Sequence, residues 1–197
     1  MVPLEKQGLV CFRVSFALSL KYRSLLIAYS NGDFAREYIP TVLDNIDDAL
    51  IFRDKRLEKW SGWDTAGQQE YTRIRTLSYP GTNMFLVVFA VCNRGSFDSV
   101  TTKWIPELRH SGPPNTPILL VGTQSDRRGK QQQENEIELA EIQEKVKEIG
   151  AIGYVECSSM YGTGLREIFD TAMEYISSAC VLETTLKKQK KKDCKVM

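Results

Sequence analysis

Histidine is almost missing from this chain of 197 residues, with His110 standing alone. The five cysteines, Cys11, Cys92, Cys157, Cys180 and Cys194, are odd in number and none sits in a CxxC pair. A Cys/His zinc site and a disulfide framework are therefore disfavoured, and a reducing, cytosolic setting fits best. No apolar run is long enough to span a bilayer. Leu9–Leu20 follows Lys6 much as the apolar core of a signal peptide follows its basic flank. Arg13 interrupts it, however, and no small-residue cleavage site comes after, which argues against secretion. Net charge is nearly absent too, at +1 from 26 basic and 25 acidic side chains. Finally, no glycine occurs between Gly8 and Gly32.

The positive charge that exists is concentrated. Lys187, Lys188, Lys190, Lys191, Lys192 and Lys195 lie among the last eleven residues, opposed only by Asp193. The remainder is net acidic, so a nucleic-acid binder is disfavoured and the basic signal belongs to the tail. A hydrophobic content of 42% and a charged content of 26% are ordinary for one globular domain.

Short, almost wholly apolar runs alternate with helical patterns. Met84–Val91 and Pro117–Val121 read as strands buried on both faces, as in a parallel sheet, and Tyr154–Cys157 is a shorter third candidate. Ser96–Arg109 reads as a helix with Ser96 as its cap. Glu134–Ile149 reads as another, ending at Gly150, and Leu165–Ala179 as a third with an apolar stripe along one side. Strands separated by helices predict an α/β fold: a doubly wound, mostly parallel sheet flanked by helices. Ligands of such sheets bind beyond the carboxyl ends of the strands. The loops of interest are thus Trp63–Gly67, Gly122–Asp126 and Ser158–Gly162.

Those loops carry a coherent chemistry. In Trp63-Asp64-Thr65-Ala66-Gly67-Gln68, an acid can hold a divalent cation, a glycine lets a backbone N–H approach a terminal phosphate, and a glutamine can orient an attacking water. The string resembles the second switch of the Ras superfamily. Tyr38-Ile39-Pro40-Thr41-Val42 resembles the first switch of its Rho/Rac branch. Leu77-Ser78-Tyr79-Pro80, Trp104-Ile105-Pro106-Glu107 and Asn115-Thr116-Pro117 add to that likeness, in packing and turn roles.

The resemblance implies a small G-protein fold binding GTP or GDP with Mg2+. It gives Thr41 and Asp64 to the metal, Gly67 to the γ-phosphate, Phe34 to the guanine edge and Gln68 to catalysis. Asp126 would accept the guanine N1–H and N2 amine, and the Ser158-Ser159 loop would offer a backbone N–H to O6. Gln124 stands where the family has a lysine packed along the base. The segment between Asp126 and Ser158 is short, so the extra helix of the Rho branch is expected to be trimmed. Effector proteins would read Tyr38–Val42 and Gln68–Arg75, with exchange factors and GTPase-activating proteins as further partners, in cytoskeletal or trafficking signalling.

One part of the pattern is broken. Ser24-Leu25-Leu26-Ile27 should follow G-x-x-x-x-G-K-[ST], yet Phe16 stands at the first glycine, Lys21 at the last, Tyr22 at the lysine and Arg23 at the magnesium ligand. A phosphate cradle needs backbone N–H groups unobstructed by side chains. Two readings stay open: a pseudo-GTPase scaffold that keeps its effector surface, or an alternative exon or gene-model error over residues 1–23. GTP hydrolysis is accordingly left open. The boundaries are a G-domain over 1–182, with 1–23 divergent, and a flexible polybasic tail over 183–197. Cys194-Lys195-Val196-Met197 is a C-a-a-X ending, which implies prenylation at Cys194, methylation, and a lipid anchor on the cytoplasmic face of the plasma membrane or an internal membrane. The adjoining lysines are the second signal, directed at anionic lipid.

Overall fold

A computed structural model of the chain describes residues 10–18, 25, 28–29, 43–53, 56–65, 72–130 and 135–193. Six strands form one sheet: β1 (Val10–Leu18), β2 (Leu43–Arg53), β3 (Arg56–Thr65), β4 (Met84–Ala90), β5 (Ile118–Thr123) and β6 (Gly153–Glu156). Their spatial order is β2-β3-β1-β4-β5-β6. Only β2 and β3 pair antiparallel; the other pairs are parallel.

The sheet is placed by β4. All of Met84–Phe89 is buried, and alternate residues feed opposite layers. Met84, Leu86 and Val88 join Leu119, Val121 and Val155 against Leu25, Ala28, Ile168, Phe169, Ala172, Met173 and Ile176. Phe85, Val87 and Phe89 join Leu120 against Phe97, Val100, Trp104, Leu108, Ile142 and Ile149. A strand with helices on both faces cannot alternate with polar residues, which is why its sequence is an unbroken apolar run.

The helices are α1 (Thr72–Thr76), α2 (Arg94–Ser99), α3 (Ile105–Ser111), α4 (Leu139–Ile149) and α5 (Leu165–Asp193). The cap of α2 is Asn93 rather than Ser96: Asn93 has extended backbone and its side chain accepts the Ser96 N–H. Ser96 lies inside the first turn, buried, with its hydroxyl donating to the Asn93 carbonyl. A π turn, Val100–Trp104, joins α2 to α3, whose first turn carries Pro106. Proline withdraws an N–H and crowds the preceding turn, and the widened turn accommodates it.

Helix α4 starts at Leu139, later than the pattern from Glu134 implied. Ile137 is tied by its N–H to the Val91 carbonyl and buried in the core before the helix begins. Gly150 closes α4 at φ 66°, as its position promised. Helix α5 outruns its apolar stripe, which ends at Ile176, and continues to Asp193 through the lysines from 187 to 192. Leu, Lys and Gln are good helix formers, no Gly or Pro intervenes, and cations in the last turns suit the helix dipole.

Candidate nucleotide site

The carboxyl ends of β5 and β6 lie side by side and their loops are laced together. Cys157 donates its N–H to the Gly122 carbonyl at 2.8 Å, and Ser125 donates to the Cys157 carbonyl at 3.1 Å. This brings Asp126, in the 3-10 turn Ser125–Arg127, to Ser158. The Ser158 hydroxyl donates to Asp126 Oδ1 at 2.6 Å and accepts the Tyr161 N–H at 3.3 Å. Ser158 is fully buried and its own N–H reaches the Thr163 carbonyl, so the serine has little freedom. Asp126 Oδ2 receives no hydrogen bond from the described residues and stays available as an acceptor.

Gln124 adopts the left-handed region at φ 63°, ψ 36°. That conformation costs a non-glycine residue about 1 kcal/mol and turns the chain sharply at the end of β5. Its side-chain oxygen accepts from Arg127 Nη1 at 3.1 Å. Beside Ser159, Met160 and Tyr161 are 58% and 61% exposed, and Lys130 lies over the Tyr161 ring at 5.6 Å. Arg127, Lys130, Met160 and Tyr161 were not singled out from the sequence. The only available signal was their adjacency to the two loops.

A second layer holds these loops from beneath. Arg128 grips Glu156 with two hydrogen bonds of 2.6 and 2.8 Å and reaches Glu136 and the Ile137 carbonyl. Burial pushes the Glu156 carboxyl up, but donors on Arg128 and Tyr154 outweigh it and hold it below its usual range. The Tyr154 hydroxyl donates to Glu156 at 2.7 Å and sits against Gly122, where a Cβ would overlap it. Cys157, fully buried behind the loop, has its thiol pushed by burial up to about 12.

The remaining expected site residues are not gathered by the described structure. Asp64 is the penultimate residue of β3, opposite Asp44 of β2. Trp63, Asp64 and Thr65, expected in a loop, are thus the last residues of β3. Phe34, Thr41, Gly67, Gln68 and Cys194 lie outside the described residues. On the phosphate side, β1 does not end before the cradle position. It continues through Phe16, Ala17 and Leu18, in register with Leu86, Val87 and Val88 of β4. Extended backbone cannot wrap a phosphate, and the bulk at these positions agrees. Asp126 thus offers an acceptor of the kind a guanine base needs, whereas extended backbone at residues 16–18 offers no wrap for phosphates.

The segment after the Gln68 string is anchored elsewhere. Arg75 on α1 is buried and bonds Glu107 of α3 through Nε at 2.8 Å and Nη2 at 2.6 Å. Tyr79 donates to the same carboxylate at 2.5 Å, and Arg75 lies over Trp104 at 5.2 Å. Of the Leu77-Ser78-Tyr79-Pro80 string, Ser78 and Tyr79 are packed as expected, whereas Leu77 is 77% exposed and Ile74 nearby is 37% exposed.

A mostly parallel sheet that gathers a carboxylate and a serine loop beyond its strand ends has them where open α/β sheets bind their ligands. Comparison with known sequences agrees. Residues 22–178 match the Ras family. The chain is also 40% identical over 182 residues to the GTP-binding protein RHO1 of Candida albicans, with 88% of each chain covered. The chain belongs to the Ras family, as a Rho-like small GTP-binding protein.

Proposed function

We infer that this chain is a membrane-associated Rho-type signalling protein whose output is effector contact through the segment around α1. The observation that carries the reading is the apolar pair Ile74 and Leu77, left exposed on a segment that Arg75 and Glu107 fix to the core. Exposed apolar groups on a positioned element favour a protein partner. Rho-family relatives generally bind effectors, exchange factors and GTPase-activating proteins, and the first switch, Tyr38–Val42, would complete the surface. Prenylation of Cys194 with the adjoining lysines would hold the protein to an anionic cytoplasmic leaflet. Among the described residues no helix is long and apolar enough to cross a membrane.

A second reading is favoured by one observation. The continuation of β1 through Phe16–Leu18 supports a pseudo-GTPase scaffold, with the effector surface kept and Mg2+-GTP held weakly. Under it, Gln68 has little hydrolysis to perform.

The experiment is calorimetric titration of the chain with a panel of isolated Rho-effector binding domains, alongside Leu77→Asp. Binding by the parent chain and a loss of about tenfold or more in the variant are expected. A parent chain that binds no effector domain, or a variant that binds as well, refutes the reading.

A further inference from the structure

The two halves of the ligand site are unequal. At the base end, Asp126 is oriented by a buried serine, Ser158 is itself fixed from two sides, and Gln124 is tethered by Arg127. None of these contacts involves a phosphate-binding element. At the phosphate end, residues 16–18 are extended and paired with β4, and no glycine lies between Gly8 and Gly32. A ligand's base would meet a preorganised acceptor while its phosphates would meet strand and bulk.

We propose that the site recognises the guanine nucleoside moiety itself, so that guanosine binds nearly as well as GTP and Mg2+ contributes little. The proposal rests on the reading of Asp126 and the Ser158-Ser159 loop as the guanine-recognition element. Asp126 meets the N1–H and N2 amine with its open Oδ2 and with the remaining lone pair of Oδ1, which already accepts from Ser158; adenine cannot match this pattern, because its N1 is an acceptor. Specificity for guanine is therefore retained even where the phosphate contribution is lost. The exposed Met160 and Tyr161 add apolar surface beside the same loop, and Lys130 over Tyr161 bridges the two loops across the site. A nucleoside-sized ligand held by a few hydrogen bonds in a preformed site is expected to bind with a Kd of about 10–100 μM.

The test is calorimetry on the full-length chain with guanosine, GDP, GTP and adenosine, each in Mg2+ and in EDTA, with Asp126→Ala alongside and circular dichroism to verify folding. The proposal expects guanosine and GTP within about tenfold of each other, no more than about a twofold effect of EDTA, and adenosine at least about a hundredfold weaker. Asp126→Ala loses guanosine while remaining folded. GTP binding more than about a hundredfold tighter than guanosine, with dependence on Mg2+, overturns the proposal but leaves the base reading standing. Lys21 and Arg23 would then supply the phosphate contacts. Guanosine and adenosine binding alike, or neither guanosine nor GTP binding to the folded chain, overturns the base reading and the proposal with it.

Discussion

Glu107 is the residue on which the placement of α1 depends, and Glu107→Ala measures that dependence. Its partner Arg75 has a side chain with 0% exposure, while Glu107 itself is 12% exposed. Removing one member of a buried ion pair costs about 3–5 kcal/mol, since the remaining charge stays desolvated. The Tyr79 hydroxyl loses its acceptor as well, worth about 1 kcal/mol. Water can enter at the partly open Glu107 end, which lowers the pair's share to about 2 kcal/mol and makes about 3 kcal/mol in all with the Tyr79 term. For a domain of this size that corresponds to a fall in Tm of about 6–12 °C. The reference is Glu141→Ala, which breaks the Arg94–Glu141 pair, where the two side chains are 39% and 40% exposed. Exposed pairs contribute little, so that change is expected to stay within about 0.5 kcal/mol.

The pH profile gives an independent check. Burial raises the Glu107 carboxyl, but hydrogen bonds from Arg75 and Tyr79 prevail and its pKa lies below the ordinary 4.5. A depressed folded-state pKa stabilises fully above the unfolded value and ceases to do so as pH falls through the folded one. The gap between parent and Glu107→Ala, read from urea unfolding, should be constant from about pH 6 to 8 and shrink below about pH 4. A Glu107→Ala chain no less stable than Glu141→Ala at pH 7, or a gap that widens in acid, would refute the reasoning.

Two further outcomes follow from the geometry and a third from the sequence of the tail. Gly122→Ala drives a Cβ into the Tyr154 hydroxyl and to 2.8 Å from Val91 Cγ1, and should lower stability by about 1–3 kcal/mol in urea unfolding, with Tyr154→Phe in the same chain restoring part of it. The Cys157 thiol, buried with its pKa pushed up to about 12, should resist iodoacetamide at pH 8 in the folded protein and react once urea unfolds it, as peptide mass mapping would show. For the tail, Cys194→Ser should leave the protein in the soluble fraction, whereas replacing the six lysines by glutamine should leave weak membrane binding without preference for anionic leaflets; each lysine is worth about 1 kcal/mol before screening.

How legible each element was depended on its surroundings. The run at β4 announces itself because helices cover both faces, and Gly150 marks a helix end that only a left-handed residue can form. In β1, Arg13 and Ser15 interrupt the apolar pattern expected of a central parallel strand, which hid a strand that pairs on both sides. Neither LDNIDDALIFR of β2 nor RLEKWSGWDT of β3 keeps a clean alternation, and each is specified mainly by its partner. Asp126 and the Ser158-Ser159 loop were singled out only through their resemblance to the family's motifs, and the hydrogen bond that joins Ser158 to Asp126 could not be read from the sequence. The Arg75–Glu107 and Arg128–Glu156 pairs were not legible, since their members lie 32 and 28 positions apart and nothing local couples them.

The Arg75–Glu107 pair also bears on the proposed pseudo-GTPase reading, in which an effector surface would outlast the phosphate cradle. In a nucleotide switch, the segments around the γ-phosphate are ordered by contacts with that phosphate and its Mg2+, and they relax on hydrolysis. Helix α1 is fixed differently. Among the described residues its anchor is a carboxylate on α3, reinforced by Tyr79 and by the face of Trp104, all side chains of the domain itself. Ile74 and Leu77 are consequently presented by the packing of the domain itself. An effector that reads mainly these two residues would bind whether or not a triphosphate is held, whereas one that reads Tyr38–Val42 would remain sensitive to it. The division between nucleotide-dependent and nucleotide-independent partners is therefore expected to follow which of the two surfaces a partner uses, and Glu107→Ala should weaken the second kind selectively.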